Sequence, residues 1–324
     1  MPHSRLVSRA DIDAAAARLQ GRIVRTPLLR TSLGRPSTPL FVKAECLQTG
    51  GSFKLRGALN AVSLLDASQW KRGVVTHSSG NHGQALARAA RAAGISATIV
   101  MPREAPEVKR RATEAQGATV VLVDMADRAS TVDEIVARTG AVFIPPYDHA
   151  AIIAGQGTVG LEIVDDLPDP ATVLVPVSGG GLLSGIATAV RSVSPSTRIV
   201  AVEPALAGDL AEGFAAGQRV TWDTARTGRT IADGLRTVSV GELNWRHITA
   251  LVDDVVTVSE DEIRTAMRDV ILDTRLVCEP SGAVAVAGFR AHPNVVGPGP
   301  AVAVVSGGNV ATDLLVDVLS ADLR

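Results

Sequence analysis

The chain has 324 residues, which at about 150 residues per domain gives two domains with room for a large core. Apolar residues make up 46% and charged residues 20%, so the chain is a folded globular protein and not a disordered tail. Lys and Arg number 32 against 33 Asp and Glu, and this net charge of −1 argues against an electrostatic nucleic-acid binder.

Residues 8 to 20 read as a first helix, with Ser8 and Asp11 as a capping pair and Gly21 closing it. Ile12, Ala16 and Leu19 then share the face expected to be buried. From residue 72 a regular rhythm sets in. Gly73 to Thr76 is a β-branched run, Gln84 to Ala93 a helix ended by Gly94, and Ser96 to Val100 strand-like. Pro106 to Gln116 is helical, Thr119 to Val123 a strand, Thr131 to Arg138 a helix and Ala141 to Ile144 a strand. Four strands separated by three helical stretches require a parallel sheet with crossover helices. The rhythm restarts at Thr172 to Val177, continues with a helix from Leu182 to Val193 and a strand from Arg198 to Val202, and ends with Ala301 to Val305 and a C-terminal helix. Near-continuous valine runs suit strands buried on both faces. The reading is two α/β domains, a small one at residues 72–148 inserted in a large one made of 1–64 and 149–324.

Apolar runs such as Ala97 to Met101 fall far short of a membrane span, and three Trp, one Tyr and five Phe are too few for a base-stacking platform. Cys46 and Cys278 make neither a disulfide framework nor a zinc site. The N-terminus shows no apolar signal core, so a reducing cytoplasm is the expected compartment.

Three strand-to-helix turns carry glycine and polar residues: Ser78 to Gly83, Ser178 to Leu182, and Ser306 to Asn309. In an open parallel sheet such turns lie at the carboxyl ends of strands, where ligands bind. The turn Ser178-Gly179-Gly180-Gly181-Leu182 suits a phosphate, because glycines admit a close anion and the next helix offers free N–H groups. A tight structural turn explains one such stretch equally well. A dinucleotide site is a further alternative, with Glu203 near the place of the ribose ligand, although Ser184 stands where that fingerprint wants Gly or Ala. The run Gly50 to Ala58 is the most informative. It sets Lys54 between Phe53 and Leu55, where desolvation lowers a lysine pKa and frees the amine to form a Schiff base.

Gly-Ser-Phe-Lys-x-Arg-Gly-Ala at 51–58, Ser-Ser-Gly-Asn-His-Gly-Gln-Ala at 78–85 and the glycine-rich turn occur in the order seen in fold-type II pyridoxal-phosphate enzymes. So do Ala154-Gly155-Gln156-Gly157-Thr158, Ile231-Ala232-Asp233-Gly234 and Ser306-Gly307-Gly308-Asn309. The chain resembles the threonine/serine dehydratase and serine racemase family from about Arg25 to Asn309. The resemblance implies a tryptophan synthase beta-like fold and a homodimer acting on a small amino acid, with no membrane or nucleic-acid partner. It implies that Lys54 holds pyridoxal phosphate as a Schiff base and removes the substrate α-proton, with Phe53 against the ring and Asn81 on the ring hydroxyl. Ser178, Gly179, Gly180, Gly181 and Leu182 would cradle the phosphate, and Ser306 would face the pyridine nitrogen. Ser78, Ser79, Gly80, Asn81 and His82, with Gly234, would bind the substrate. Ser79 would also face the side of the substrate opposite Lys54.

Glu203, Ala207 and Asp209 repeat the spacing of the family's divalent-cation site, and all three supply hard oxygen ligands for magnesium, manganese or calcium. Two departures stand out. Ser178 replaces the first glycine of the usual four, and Thr49 stands near the position where nucleotide-activated racemases carry lysine. The implied reaction is dehydration of L-threonine or L-serine to a 2-oxo acid and ammonia. Serine racemase and 3-hydroxyaspartate dehydratase are the alternatives within the family; an NAD-dependent oxidoreductase and a binding protein without turnover are those outside it.

Overall fold

Ten strands arrange in two sheets in the computed structural model, which describes residues 5–105 and 107–321. They are β1 (Leu28–Arg30), β2 (Leu40–Ala44), β3 (Val74–His77), β4 (Ala97–Pro102) and β5 (Thr119–Val123), followed by β6 (Val142–Phe143), β7 (Thr172–Pro176), β8 (Arg198–Pro204), β9 (Asp254–Val258) and β10 (Ala301–Val305). The larger sheet has the order β1-β2-β10-β7-β8-β9, parallel throughout except for β1, which runs antiparallel to β2 at its edge. The smaller sheet, β5-β4-β3-β6, is wholly parallel and takes all its strands from the stretch between Val74 and Phe143. The fold is therefore α/β with two parallel-sheet regions.

Every residue of β7 and β10 is buried, as their valine runs require of strands covered on both faces. The first helix, Arg9–Leu19, has the full reciprocal capping box between Ser8 and Asp11. Its buried face is Ile12, Ala15 and Leu19, not Ala16, and the helix stops at Gln20 instead of closing on Gly21. The helix expected from Gln84 begins at Asn81, because a helix can start on Gly80 without a side-chain cap. The strands β1, β2 and β9 and the helix Ala150–Asp166 carry no comparable sequence signal.

That helix is the spine of the molecule. A β-carbon on Gly155 would overlap the backbone of Arg56 and Gly57, and one on Gly185 would overlap Gly157 and Ile153. A β-carbon on Gly160 would press on Ala189 and Ile186. The helices Lys54–Ser63 and Gly181–Val193 thus meet Ala150–Asp166 backbone to backbone, which only glycine allows. Leu55, Leu59 and Val62 of the first of these helices share a buried cluster with Val74, Leu86 and Ile99 of the smaller sheet region.

Beside this contact lies a buried ion network. The Arg56 guanidinium donates to both oxygens of Glu45 at 2.7 and 2.9 Å and to both oxygens of Glu162 at 2.7 and 2.9 Å. Lys43 Nζ donates to Glu162 at 2.7 Å and to the Thr26 carbonyl at 2.6 Å. Arg56 and Lys43 face Glu45 and Glu162, with Asp166 also 3.9 Å from Lys43, and the network ties β2 to the helices Lys54–Ser63 and Ala150–Asp166. Breaking a buried pair costs far more than the pair contributes over an apolar substitute, because it strands a charge. Arg56→Met leaves two buried carboxylates with one cation. Its expected cost is about 3–5 kcal/mol of folding free energy, read from the denaturant midpoint, with Arg56→Lys intermediate. A loss in Arg56→Met below about 1 kcal/mol would show that the carboxylates find other partners.

Candidate active site

Three chain turns and the start of one helix converge on a cavity of about 400 Å³ at the carboxyl ends of β3, β7 and β10. Its wall includes every cofactor and substrate residue expected from the sequence: Phe53 and Lys54, Ser78 to His82, Ser178 to Leu182, Gly234 and Ser306.

Lys54 is the first residue of the helix Lys54–Ser63, and the turn before it is fixed against the loop after β10. Gly51 N–H and C=O lie in a left-handed turn where a β-carbon would overlap Asn309. The Gly308 amide donates to the Gly51 carbonyl at 2.9 Å, and the Phe53 amide donates to the Ser306 carbonyl at 3.1 Å. These bonds hold Lys54 and Ser306 on neighbouring backbone. The Lys54 amine donates to the Pro146 carbonyl at 2.9 Å and lies 5.0 Å from the Phe53 ring centroid. Burial with no anionic partner pushes its pKa down to about 8. About a tenth of it is then free amine at pH 7, which is what a nucleophilic lysine needs.

The helix Asn81–Ala93 starts at Gly80 with no side-chain cap, so its first-turn amides remain available to a ligand. The Ser79 hydroxyl makes no hydrogen bond among the described residues and does not cap this helix. Asn81 is oriented at both ends: its Nδ2 donates to Glu279 at 2.7 Å and its Oδ1 accepts from Asn309 at 2.8 Å. His82 Nε2 donates to the Ile144 carbonyl at 3.0 Å, and burial together with the Lys54 charge pushes its pKa down to about 3. The imidazole is therefore neutral. Glu279 is buried, and burial with Asp233 nearby pushes its carboxyl up to about 7.

Across the cavity, β7 ends in the glycine turn. A β-carbon on Gly179 would overlap the Tyr147 ring, and Gly180 has a φ of +91°, a conformation that favours glycine. The Gly179 carbonyl is turned away, accepting from the Asn244 amide at 2.7 Å and from Gly241 N–H at 3.0 Å. The start of the helix Gly181–Val193 is uncapped by any side chain. A cradle that a β-carbon would fill, with free amides at a positive helix end, fits a phosphate group. The buried Ser306 hydroxyl donates weakly to the Ser281 carbonyl at 3.4 Å. The Gly234 amide donates to Ser281 Oγ at 2.9 Å, and the neighbouring Asp233 is paired with Lys109 from the smaller sheet region.

Sequence reading missed Tyr147, Arg128, His77, Thr237, Glu279 and Ser281, which also line the cavity. None lies in a glycine-rich turn. Glu279 and Ser281 flank Pro280 at the start of a helix, a pattern that reads as an ordinary helix entry.

Glu203, Ala207 and Asp209 are buried together, but not on the cavity wall. Glu203 accepts from the Ala211 and Leu210 amides at 2.9 and 3.4 Å, while Asp209 Oδ2 has no partner. Burial and the charge of Asp209 push the Glu203 carboxyl well up, and burial pushes Asp209 up to about 7. Two buried acids and an orphaned oxygen form a donor set that fits a hard cation. Among the described residues no cluster of three or more His, Cys, Asp and Glu side chains is arranged for a metal. The position of Glu203 also removes the ribose ligand from the dinucleotide alternative, since the acid does not reach the cavity.

Comparison with known proteins agrees with this geometry. The family described as "Pyridoxal-phosphate dependent enzyme" matches residues 19–307. The serine racemase of Arabidopsis thaliana is 44% identical over 308 residues, covering 92% of each chain. The catabolic L-threonine dehydratase of Escherichia coli strain K12 is 40% identical over 306 residues, covering 93% of this chain and 92% of its own. The structure of maize serine racemase superposes with a TM-score of 0.90 at 38% identity, over 97% of each chain. The chain belongs to the pyridoxal-phosphate-dependent enzyme family.

Proposed function

We propose that the chain is an ammonia-lyase that converts a small β-hydroxy amino acid, L-threonine or L-serine, to its 2-oxo acid and ammonia. One observation carries this reading: a lysine amine of lowered basicity stands between an anion cradle and an uncapped helix start, beside a neutral serine. When bound, pyridoxal phosphate supplies the electron sink that makes the substrate α-hydrogen acidic.

The remaining work belongs to side chains. Lys54 takes the α-proton on one face. The amides of Ser78 to His82 hold the substrate carboxylate, and the neutral His82 adds no charge of its own. Gly179 to Leu182 would receive the phosphate and Asn81 the ring hydroxyl. Ser306 would meet the ring nitrogen with a hydroxyl that cannot deliver a full proton as an acid would, so the group would act as a modest electron sink suited to loss of a β-hydroxyl. Ser79, with no hydrogen bond among the described residues, would serve as acid or base on the opposite face, which would make serine racemisation a side reaction.

A second reading, dehydration of 3-hydroxyaspartate, is favoured by Arg128. It reaches the cavity wall bonded only to the Met125 carbonyl at 3.2 Å, with no carboxylate partner among the described residues. We also assign Glu203, Ala207 and Asp209 as a structural site for a divalent cation.

Ammonia and 2-oxo acid are expected from L-serine or L-threonine given to the purified enzyme. Ser79→Ala should abolish D-serine formation from L-serine while sparing much of the L-serine dehydration. Turnover of 3-hydroxyaspartate alone would favour the Arg128 reading, and no 2-oxo acid from any of the three would contradict lyase activity. Equal loss of racemisation and dehydration in Ser79→Ala would make Ser79 a general binding residue.

For the cation site, chelation should lower the thermal midpoint and added magnesium, manganese or calcium should restore it, with both responses absent in Asp209→Ala. A midpoint indifferent to chelator would contradict the assignment.

A further inference from the structure

Ser178, the departure from an all-glycine turn, is paired with a residue from a distant loop. Its Oγ lies 2.6 Å from Thr237 Oγ1, and it accepts from the Thr237 amide at 3.2 Å. Both residues are half-buried on the cavity wall. Each hydroxyl has one hydrogen to donate. The short contact consumes one of the two, whichever oxygen donates, and the Thr237 amide occupies a lone pair of Ser178. Among the described residues neither hydroxyl has another partner. The pair thus holds exactly one spare hydroxyl hydrogen, and it lies beside the amides of Gly179 to Leu182.

We propose that Ser178 and Thr237 act as one unit that donates this hydrogen to the cofactor phosphate, adding a side-chain donor to the backbone cradle. The inference rests on the pyridoxal-phosphate reading of the cavity. It assigns Thr237, which no motif marks, to cofactor retention. It also explains why a β-carbon is accepted at 178 when Gly179 and Gly180 allow none: the Ser178 side chain points to a partner across the cavity wall, whereas theirs would overlap Tyr147 and Asn244. The same loop is already tied to the turn through Gly241 N–H and Asn244 on the Gly179 carbonyl, so the hydroxyl pair meets at fixed backbone positions. A donor held in place before binding loses little freedom on meeting its acceptor.

The test compares pyridoxal phosphate with pyridoxal, which lacks the phosphate, as ligands of the full-length protein stripped of cofactor. Binding is followed by tryptophan fluorescence and by the visible absorbance formed at Lys54. The double variant Ser178→Gly/Thr237→Val, which keeps no hydroxyl hydrogen, should weaken pyridoxal phosphate roughly tenfold, the worth of one hydrogen bond to an anion, and leave pyridoxal unchanged. Each single variant keeps one hydroxyl hydrogen but loses the contact that holds it, so its loss should be smaller than the double variant's, and Thr237→Ser should bind as wild type. Unchanged phosphate-ligand affinity in the double variant would overturn the proposal, as would equal losses for the two ligands. A variant that binds neither ligand has lost its fold, and the decision then rests on Thr237→Ser against Thr237→Val. Wild-type protein that takes no pyridoxal phosphate at Lys54 would overturn the functional reading and this proposal together; wild-type binding with unaffected variants would overturn this proposal alone.

Discussion

The constraint on which the rest of the molecule depends is the contact of three helices through glycine. Gly155 on one helix meets Gly57 on a second and Gly157 meets Gly185 on a third, at distances that leave no room for a side chain, and Gly160 lies against Ile186 and Ala189 of the third. The second helix begins at Lys54 and the third at the glycine turn, whose free amides fit a phosphate. Fixing those helices to a common spine fixes the spacing between the amine and the phosphate cradle, which is the spacing a single ligand must bridge. The buried network of Arg56, Glu45, Glu162 and Lys43 locks the second helix against the spine and β2, since a forked guanidinium satisfies two carboxylates in only one orientation. Stability and site geometry therefore rest on the same residues.

Within the cavity burial weakens the charge of ionisable side chains. Burial lowers the basicity of Lys54, holds His82 as an uncharged imidazole and raises the carboxyl of Glu279. The residue proposed to face the cofactor ring, Ser306, is neutral as well. Binding of anions then falls to backbone amides and helix ends, which carry no proton to lose and change little with pH. Two cations stand on the wall without a carboxylate partner among the described residues, Arg128 on the Met125 carbonyl and Arg236 on the Thr230 carbonyl.

How far the sequence could be read depended on the range of the signal. The smaller sheet was legible strand by strand, because β3 to β6 alternate with helices closed by Gly94, Gly117 and Gly140, all in left-handed conformation. The three turns and Lys54 were legible because their chemistry is written in contiguous residues. The spine helix was not, since glycines at 155, 157 and 160 weaken a helical pattern until the partner helices that require them are in place. Glu279, Thr237 and Tyr147 were invisible for a related reason. Each reaches the cavity from a separate segment, and only the packing of the larger sheet brings them together. The expected face of the first helix was off by one residue, at Ala15 and not Ala16, because a short alanine run leaves the helical phase poorly marked.

The central claim is that Lys54 is the covalent anchor of the cofactor, and reductive labelling tests it most directly. The protein is loaded with pyridoxal phosphate, reduced with borohydride and digested, and the modified peptide is sequenced by mass spectrometry. The account predicts a visible absorption band that is lost on reduction and a single phosphopyridoxyl group on Lys54. A protein that stays colourless, or a label on some other lysine, would contradict it.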